Sequence, residues 1–246
     1  MKKVIAIIVY IAVLGIIIFI GRDRISHKNK SNNIEIKEEL GNSGIENINV
    51  KNEVTKSSKE IDDWKLILAN YENELPEDFD IELASIDKTR KVDSRIIIEL
   101  NKMIDDMRRA GISNIWVQSA YRDERLQNTL FNEKVDLFMK QGKTKEEAER
   151  LTMQTINKPR TSEHNLGLAV DFNYVNYEFE SSSAFKWLQK NAEDYGFILR
   201  YREDKEDITK VDYEPWHWRY VGKEHAKKMN ELDMCLEEYV EYLKKN

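Results

Sequence analysis

From Arg22 to Asp62 this chain carries no aromatic residue, whereas all five tryptophans lie between Trp64 and Trp218. A stretch made of Asn, Ser, Lys, Glu and isolated isoleucines cannot bury enough apolar surface to offset the entropy of ordering itself. The folding unit is therefore expected over residues 63–246, with residues 22–62 as a disordered linker. Ahead of that linker, Val4 to Gly21 is almost purely aliphatic. As a helix it would extend about 27 Å, close to the roughly 30 Å of bilayer hydrocarbon. Lys2 and Lys3 precede the run and no small-x-small cleavage site follows it. The expectation is a single-pass signal-anchor over residues 1–21 in a cell membrane, with the folded unit on the extracellular side. Arg22, Arg24, Lys28 and Lys30 beyond the run count against that orientation; a cleaved, freely secreted form is the alternative.

Composition narrows the function classes. A net charge of −6 and a pI near 5.5 argue against a nucleic-acid partner, which calls for a basic face. Cys235 is the sole cysteine, which excludes a disulfide framework and a cysteine-based zinc knuckle. Within the folding unit, Ile97, Leu100, Ile104 and Met107 recur at helical spacing, predicting a helix over Lys91–Ala110 stopped by Gly111. Further helices are expected at Asp123–Lys140, Thr144–Ile156, Ser183–Tyr195 and Lys223–Lys244. Strands are expected at Asn114–Ser119, Leu168–Asn173, Phe197–Tyr201 and Trp216–Val221. Strands and helices in irregular succession indicate an α+β fold, not a doubly wound sheet.

The chemistry concentrates in two segments, Ser162–Asp171 (SEHNLGLAVD) and Glu214–His217 (EPWH). His164, Asp171 and His217 supply two imidazoles and a carboxylate, the ligand set of a catalytic zinc site that keeps one position open for water. A lone histidine is more often a surface or satisfied core residue. Here Gly167 lets the backbone turn between His164 and Asp171, and Pro159 and Pro215 stiffen the approaches to the two segments. Glu214 is a carboxylate placed to take a proton from water; its bland alternative is a surface acid before a strand. A developing oxyanion also needs a positive partner. Arg122, just after the strand ending at Ser119, is the candidate, although ordinary surface charge explains it equally well. His27 and His225 enter no such pattern.

Four separated blocks in order carry a resemblance: Ser119-Ala-Tyr-Arg122 followed by Gln127, Ser162–Asp171, Tyr195–Tyr201, and Glu214–Gly222. They resemble those of the VanY-type zinc D,D-carboxypeptidases, within a wider group of D-alanyl-D-alanine dipeptidases and L,D-carboxypeptidases of bacterial walls. The similarity runs from about Trp64 to the C-terminus. It implies Zn2+ on His164, Asp171 and His217, Glu214 as catalytic base, and Arg122 polarising the scissile carbonyl. It also implies Gln127, Ser162 and Tyr201 at the substrate's terminal residue, and an antiparallel sheet core flanked by helices. The chain departs from the commonest pattern at Ala120, where glycine is frequent, and at Arg160-Thr161, where Gly-Tyr is frequent. The implied partner is the peptidoglycan stem peptide and the implied reaction is removal of a C-terminal D-alanine. Two alternatives stand beside it: an L,D-carboxypeptidase trimming tetrapeptide stems, and a zinc-fold wall-binding module without turnover. The second would expect Glu214 or Arg122 to be missing, and both are present.

Overall fold

The computed structural model describes residues 63–246, so the apolar segment at 1–21 and the whole of the linker expected at 22–62 lie outside the described residues. Among the described residues no helix is long and apolar enough to cross a membrane. A two-stranded antiparallel ribbon, β1 (Leu83–Ser85) with β2 (Lys91–Asp93), leads into helix α1 (Ile97–Arg109). The central sheet is built from β3 (Val117–Ser119), β4 (Ala169–Phe172), β5 (Phe197–Leu199) and β6 (His217–Tyr220). Its order is β3-β4-β6-β5, antiparallel throughout. Helices α2 (Glu124–Lys140) and α3 (Lys145–Met153) lie between β3 and β4, and α4 (Ser183–Asn191) between β4 and β5. A short α5 (Glu206–Thr209) precedes β6, and α6 (Lys223–Leu232) and α7 (Leu236–Lys245) close the chain. The fold is α+β, with antiparallel sheets flanked by helices.

Local chemistry sets the helix starts. Asp123, Thr144 and Ser182 each turn a side-chain oxygen onto a free backbone N–H of the first turn, at Leu126, Glu147 and Phe185 respectively. Two expectations need correction. Lys91–Asp93 opens no helix but pairs with β1, and α1 begins only at Ile97. The single closing helix is two, because Asp233 takes a left-handed conformation at φ 54° and ends α6. A short polar side chain tolerates that region better than other non-glycine residues. Helix α7 then restarts with the Glu238 carboxylate accepting from the Cys235 backbone N–H.

Strand alternation divides the sheet into two unlike faces. Val170 and Phe172 of β4, Trp218 of β6 and Phe197 of β5 join the main apolar core with Leu100, Met103 and Met107 of α1 and Phe185 and Leu188 of α4. The intervening residues, Asp171 of β4 and His217 and Arg219 of β6, belong to the opposite face and are nonetheless buried. A second apolar cluster, including Ile198, Val221, Met229, Leu236 and Tyr239, docks α6 and α7. The sheet therefore presents a polar face that is sealed from bulk water, where charge has to be paired or put to use.

Candidate metal centre

Register alone brings two of the three candidate donors together. Asp171 is the Cα partner of His217 in the β4–β6 pair and of Ser119 in the β3–β4 pair. His164 arrives from a 3-10 turn, Glu163–Leu166, that Ser162 caps by accepting from the His164 N–H. Gly167 ends that turn at φ 66°, and a Cβ there would sit 2.8 Å from both the Asp93 nitrogen and Ile81 Cδ1. Only glycine lets the turn pass so close to β2, where the Asp93 N–H donates to the Gly167 carbonyl. The strand missed in the sequence is thus the floor against which the His164 turn is pressed.

One donor atom from each of His164, Asp171 and His217 lies within 4.8 Å of the other two, and all three residues are buried. The His164 Nδ1 is 2.7 Å from the Ala120 carbonyl, which accepts its proton and leaves Nε2 turned toward Asp171 Oδ2 at 3.2 Å. His217 presents Nδ1 to Asp171 Oδ1 at 3.1 Å and to Glu214 Oε2 at 3.5 Å. Asp171 Oδ1 is buried with no hydrogen bond of its own. An orphaned oxygen on a carboxylate that lies against two imidazole nitrogens costs free energy in a protein and suits a divalent cation. Two imidazoles with one carboxylate is the zinc donor set, so the residues present fit the group.

Without a cation the electrostatics are uneven. Burial alone would raise the Asp171 carboxyl, but His164 and His217 hold it far below the usual carboxylate range. Burial, aided by the Arg122 guanidinium, pushes the His164 imidazole down to about 4. His217 behaves oppositely: burial lowers it, yet Asp171 and Glu163 outweigh that and lift it to about 9. Burial raises the Glu214 carboxyl to about 8, against the opposing pull of His217. A carboxyl tuned this far upward beside a polar cluster holds and releases a proton near neutral pH.

The remaining sequence-derived residues surround this group. The Arg122 N–H donates to the His164 carbonyl, the Arg122 carbonyl accepts from Asn165 Nδ2, and its Nη1 donates to Gln127 Oε1 at 2.9 Å. Arg122 Nε is buried and unpartnered, a donor without a protein acceptor. Gln127 is completely buried, and its Nε2 donates to the Asn157 carbonyl. Its amide therefore spans Arg122 and the main chain after α3. Tyr201 is buried, its ring centroid 4.8 Å from that of His217. His225 stands apart, its ring nitrogens 3.0 Å from the Tyr239 hydroxyl and 3.0 Å from Asp63 Oδ2. Arg160, one of the atypical positions, is a corner at φ 66° whose backbone and side chain bond the Leu75 main chain. Sequence reasoning passed over Glu163, Arg200 and Arg219, whose side chains are fully buried in contact with this cluster. The available signal was an acid between Ser162 and His164, inside the segment that carries two of the three candidate donors.

Comparison with known proteins places this geometry. Residues 89–223 match the family model described as VanY, D-alanyl-D-alanine carboxypeptidase. The chain is 39% identical over 178 residues to a D-alanyl-D-alanine carboxypeptidase of Enterococcus faecalis, covering 72% of this chain and 66% of that protein. It therefore spans just under two thirds of that relative's length. Among solved structures it is similar to a glutamate-to-alanine variant of the vancomycin-resistance D,D-pentapeptidase VanY in complex with Zn(II). That match has 39% identity and TM-score 0.65, covering 72% of this chain and 99% of the other. It is also similar to the LD-carboxypeptidase LdcB, at 33% identity and TM-score 0.61, covering 75% of this chain and 92% of that one.

Proposed function

The chain belongs to the VanY D-alanyl-D-alanine carboxypeptidase family, and from that premise we propose that it is a zinc-dependent D,D-carboxypeptidase. Its substrate is the peptidoglycan stem peptide ending in D-Ala-D-Ala, from which it removes the terminal D-alanine. In a cell exposed to glycopeptides that reaction eliminates the vancomycin target. The observation that carries this reading is the buried Glu214 carboxyl, 3.5 Å from the metal-facing nitrogen of His217.

His164 Nε2, Asp171 and His217 Nδ1 would hold the zinc, which when bound would supply Lewis-acid polarisation and lower the pKa of water so that hydroxide is available near neutral pH. Glu214 Oε2 accepts the attacking water's proton and returns it to the amine of the departing D-alanine. Arg122 offers the buried, unpartnered Nε and its guanidinium charge to the carbonyl oxygen as negative charge develops there. Gln127 keeps that guanidinium in place through Nη1. Ser162 and Tyr201 complete the pocket for the terminal residue, Tyr201 through its position against the His217 ring.

A second reading, L,D-carboxypeptidase on tetrapeptide stems, is favoured by the likeness to LdcB. The two are separated by offering the zinc-loaded full chain penta- and tetrapeptide stems and weighing the products by mass spectrometry. Release of one alanine from the pentapeptide alone supports the D,D reading. Release from the tetrapeptide alone replaces it with the L,D one. The wall substrate also places the catalytic unit outside the cell, tethered by Val4–Gly21 as a signal-anchor. Protease added to intact cells then releases residues 63–246, and a protected unit overturns that location.

A further inference from the structure

Behind the candidate metal donors lies a second layer of buried charge. Glu163, Arg200 and Arg219 have fully buried side chains. Glu163 Oε1 accepts from Arg200 Nε at 2.7 Å and from Arg219 Nη1 at 2.6 Å. Arg219 Nη2 also donates to the carbonyls of Lys65 and Ile67, and Arg200 gives two further bonds to the Glu237 carboxylate. A purely structural clamp on the two guanidiniums uses only one oxygen of Glu163. The other, Oε2, is buried and has no hydrogen bond, and it lies 3.5 Å from His217 Nε2, equally buried and equally unpartnered.

The tautomer of His217 explains the pairing. Its Nδ1 is the nitrogen beside Asp171 Oδ1 and Glu214 Oε2, so this is the lone pair available to a cation. An imidazole that coordinates through Nδ1 carries its proton on Nε2, and that proton needs an acceptor in a site closed to water. We propose that Glu163 is a positioning residue: its Oε2 accepts the Nε2 proton of His217, fixing the ring's plane and tautomer for coordination through Nδ1. Arg200 and Arg219 in turn hold Glu163 ionised and immobile. The inference rests on the zinc reading of the site but not on which stem peptide is cleaved.

Glu163→Gln preserves size and reverses the pairing. With its oxygen toward the two guanidiniums, the amide NH2 meets the His217 N–H donor to donor. Zinc affinity of the full chain, by competition with a chromophoric chelator, is expected to fall about 10–100-fold, the usual loss when an outer carboxylate partner is removed. Glu237→Gln disturbs the same network one step further out. It is expected to lower the melting temperature while leaving zinc affinity within about twofold, well short of that loss. Nitrogen-15 NMR of the zinc-loaded wild type is expected to show His217 protonated at Nε2. A folded Glu163→Gln protein with wild-type zinc affinity overturns the proposal, as does a wild-type His217 protonated at Nδ1. The NMR result decides alone if the variant does not fold. A wild type that binds no zinc overturns the parent reading as well, and is told apart by that fact.

Discussion

His217 and Asp171 face each other as cross-strand partners of β6 and β4, with His217 Nδ1 3.1 Å from Asp171 Oδ1. A one-residue slip in that register would put the two side chains on opposite faces of the sheet. The sheet therefore sets two of the three donors, while His164 depends on a separate turn. Replacing His164 with alanine is expected to leave the sheet intact and weaken zinc binding by more than the roughly 10–100-fold typical of losing an outer partner. Metal content after dialysis, read with the far-ultraviolet spectrum, checks this. Full zinc retention in a folded His164→Ala protein removes His164 from the ligand set.

Glu214 tests differently, because its proposed role is to carry a proton. Glu214→Ala is expected to keep its zinc and to lose turnover by about 10²–10⁴-fold, the range for an essential general base or acid. Parallel measurement of bound metal and alanine release distinguishes the two effects. Loss of metal together with activity would make Glu214 a ligand instead.

Gln127 couples the site to the rest of the fold. Its carbonyl oxygen accepts from Arg122 Nη1 and its Nε2 donates to the Asn157 carbonyl, with no exposed surface. Truncation to alanine leaves a buried guanidinium donor and a main-chain acceptor unpaired, costing about 1–3 kcal/mol each. Gln127→Ala is therefore expected to lower the melting temperature and also kcat/KM, with zinc content unchanged. A stability loss with wild-type kcat/KM would confine Gln127 to a structural role.

The legible parts of this molecule were those where chemistry and periodicity coincide. LAVDFN reads as a buried strand, and its one acid, Asp171, stands out against apolar neighbours. His217 stands beside tryptophans in a second strand, and Glu214 at the turn before it. Asp123 announced the start of α2 because a capping carboxylate is a local signal. What stayed hidden depends on long-range contacts. Lys91–Asp93 is a strand only because β1 pairs with it, and nothing in KVD outweighs the helical spacing that follows. The break at Asp233 carries no glycine to mark it. Arg200 and Arg219 carry no local signal, since only folding brings them 37 and 56 residues back onto Glu163.

The metal-free protein should lose stability with rising pH more steeply than the zinc-loaded one. In the metal-free site His217 is lifted from its ordinary value of 6.5 to about 9, and Glu214 from its ordinary value of 4.5 to about 8. Both raised values mean the native state holds protons that the unfolded chain has released. The stability His217 contributes is complete below about pH 6.5 and lost as pH rises through about 9, and Glu214 acts in the same direction up to about 8. His164, lowered to about 4, has finished its opposite effect by about pH 6.5. The metal-free melting temperature is therefore expected to fall between about pH 6.5 and 9. Zinc needs the unprotonated His217, so its apparent affinity should rise about tenfold per pH unit over most of that interval. Thermal melts with and without zinc at constant ionic strength, paired with chelator competition at each pH, measure both trends. Zinc affinity that stays flat with pH would show that His217 does not give up a proton to the metal.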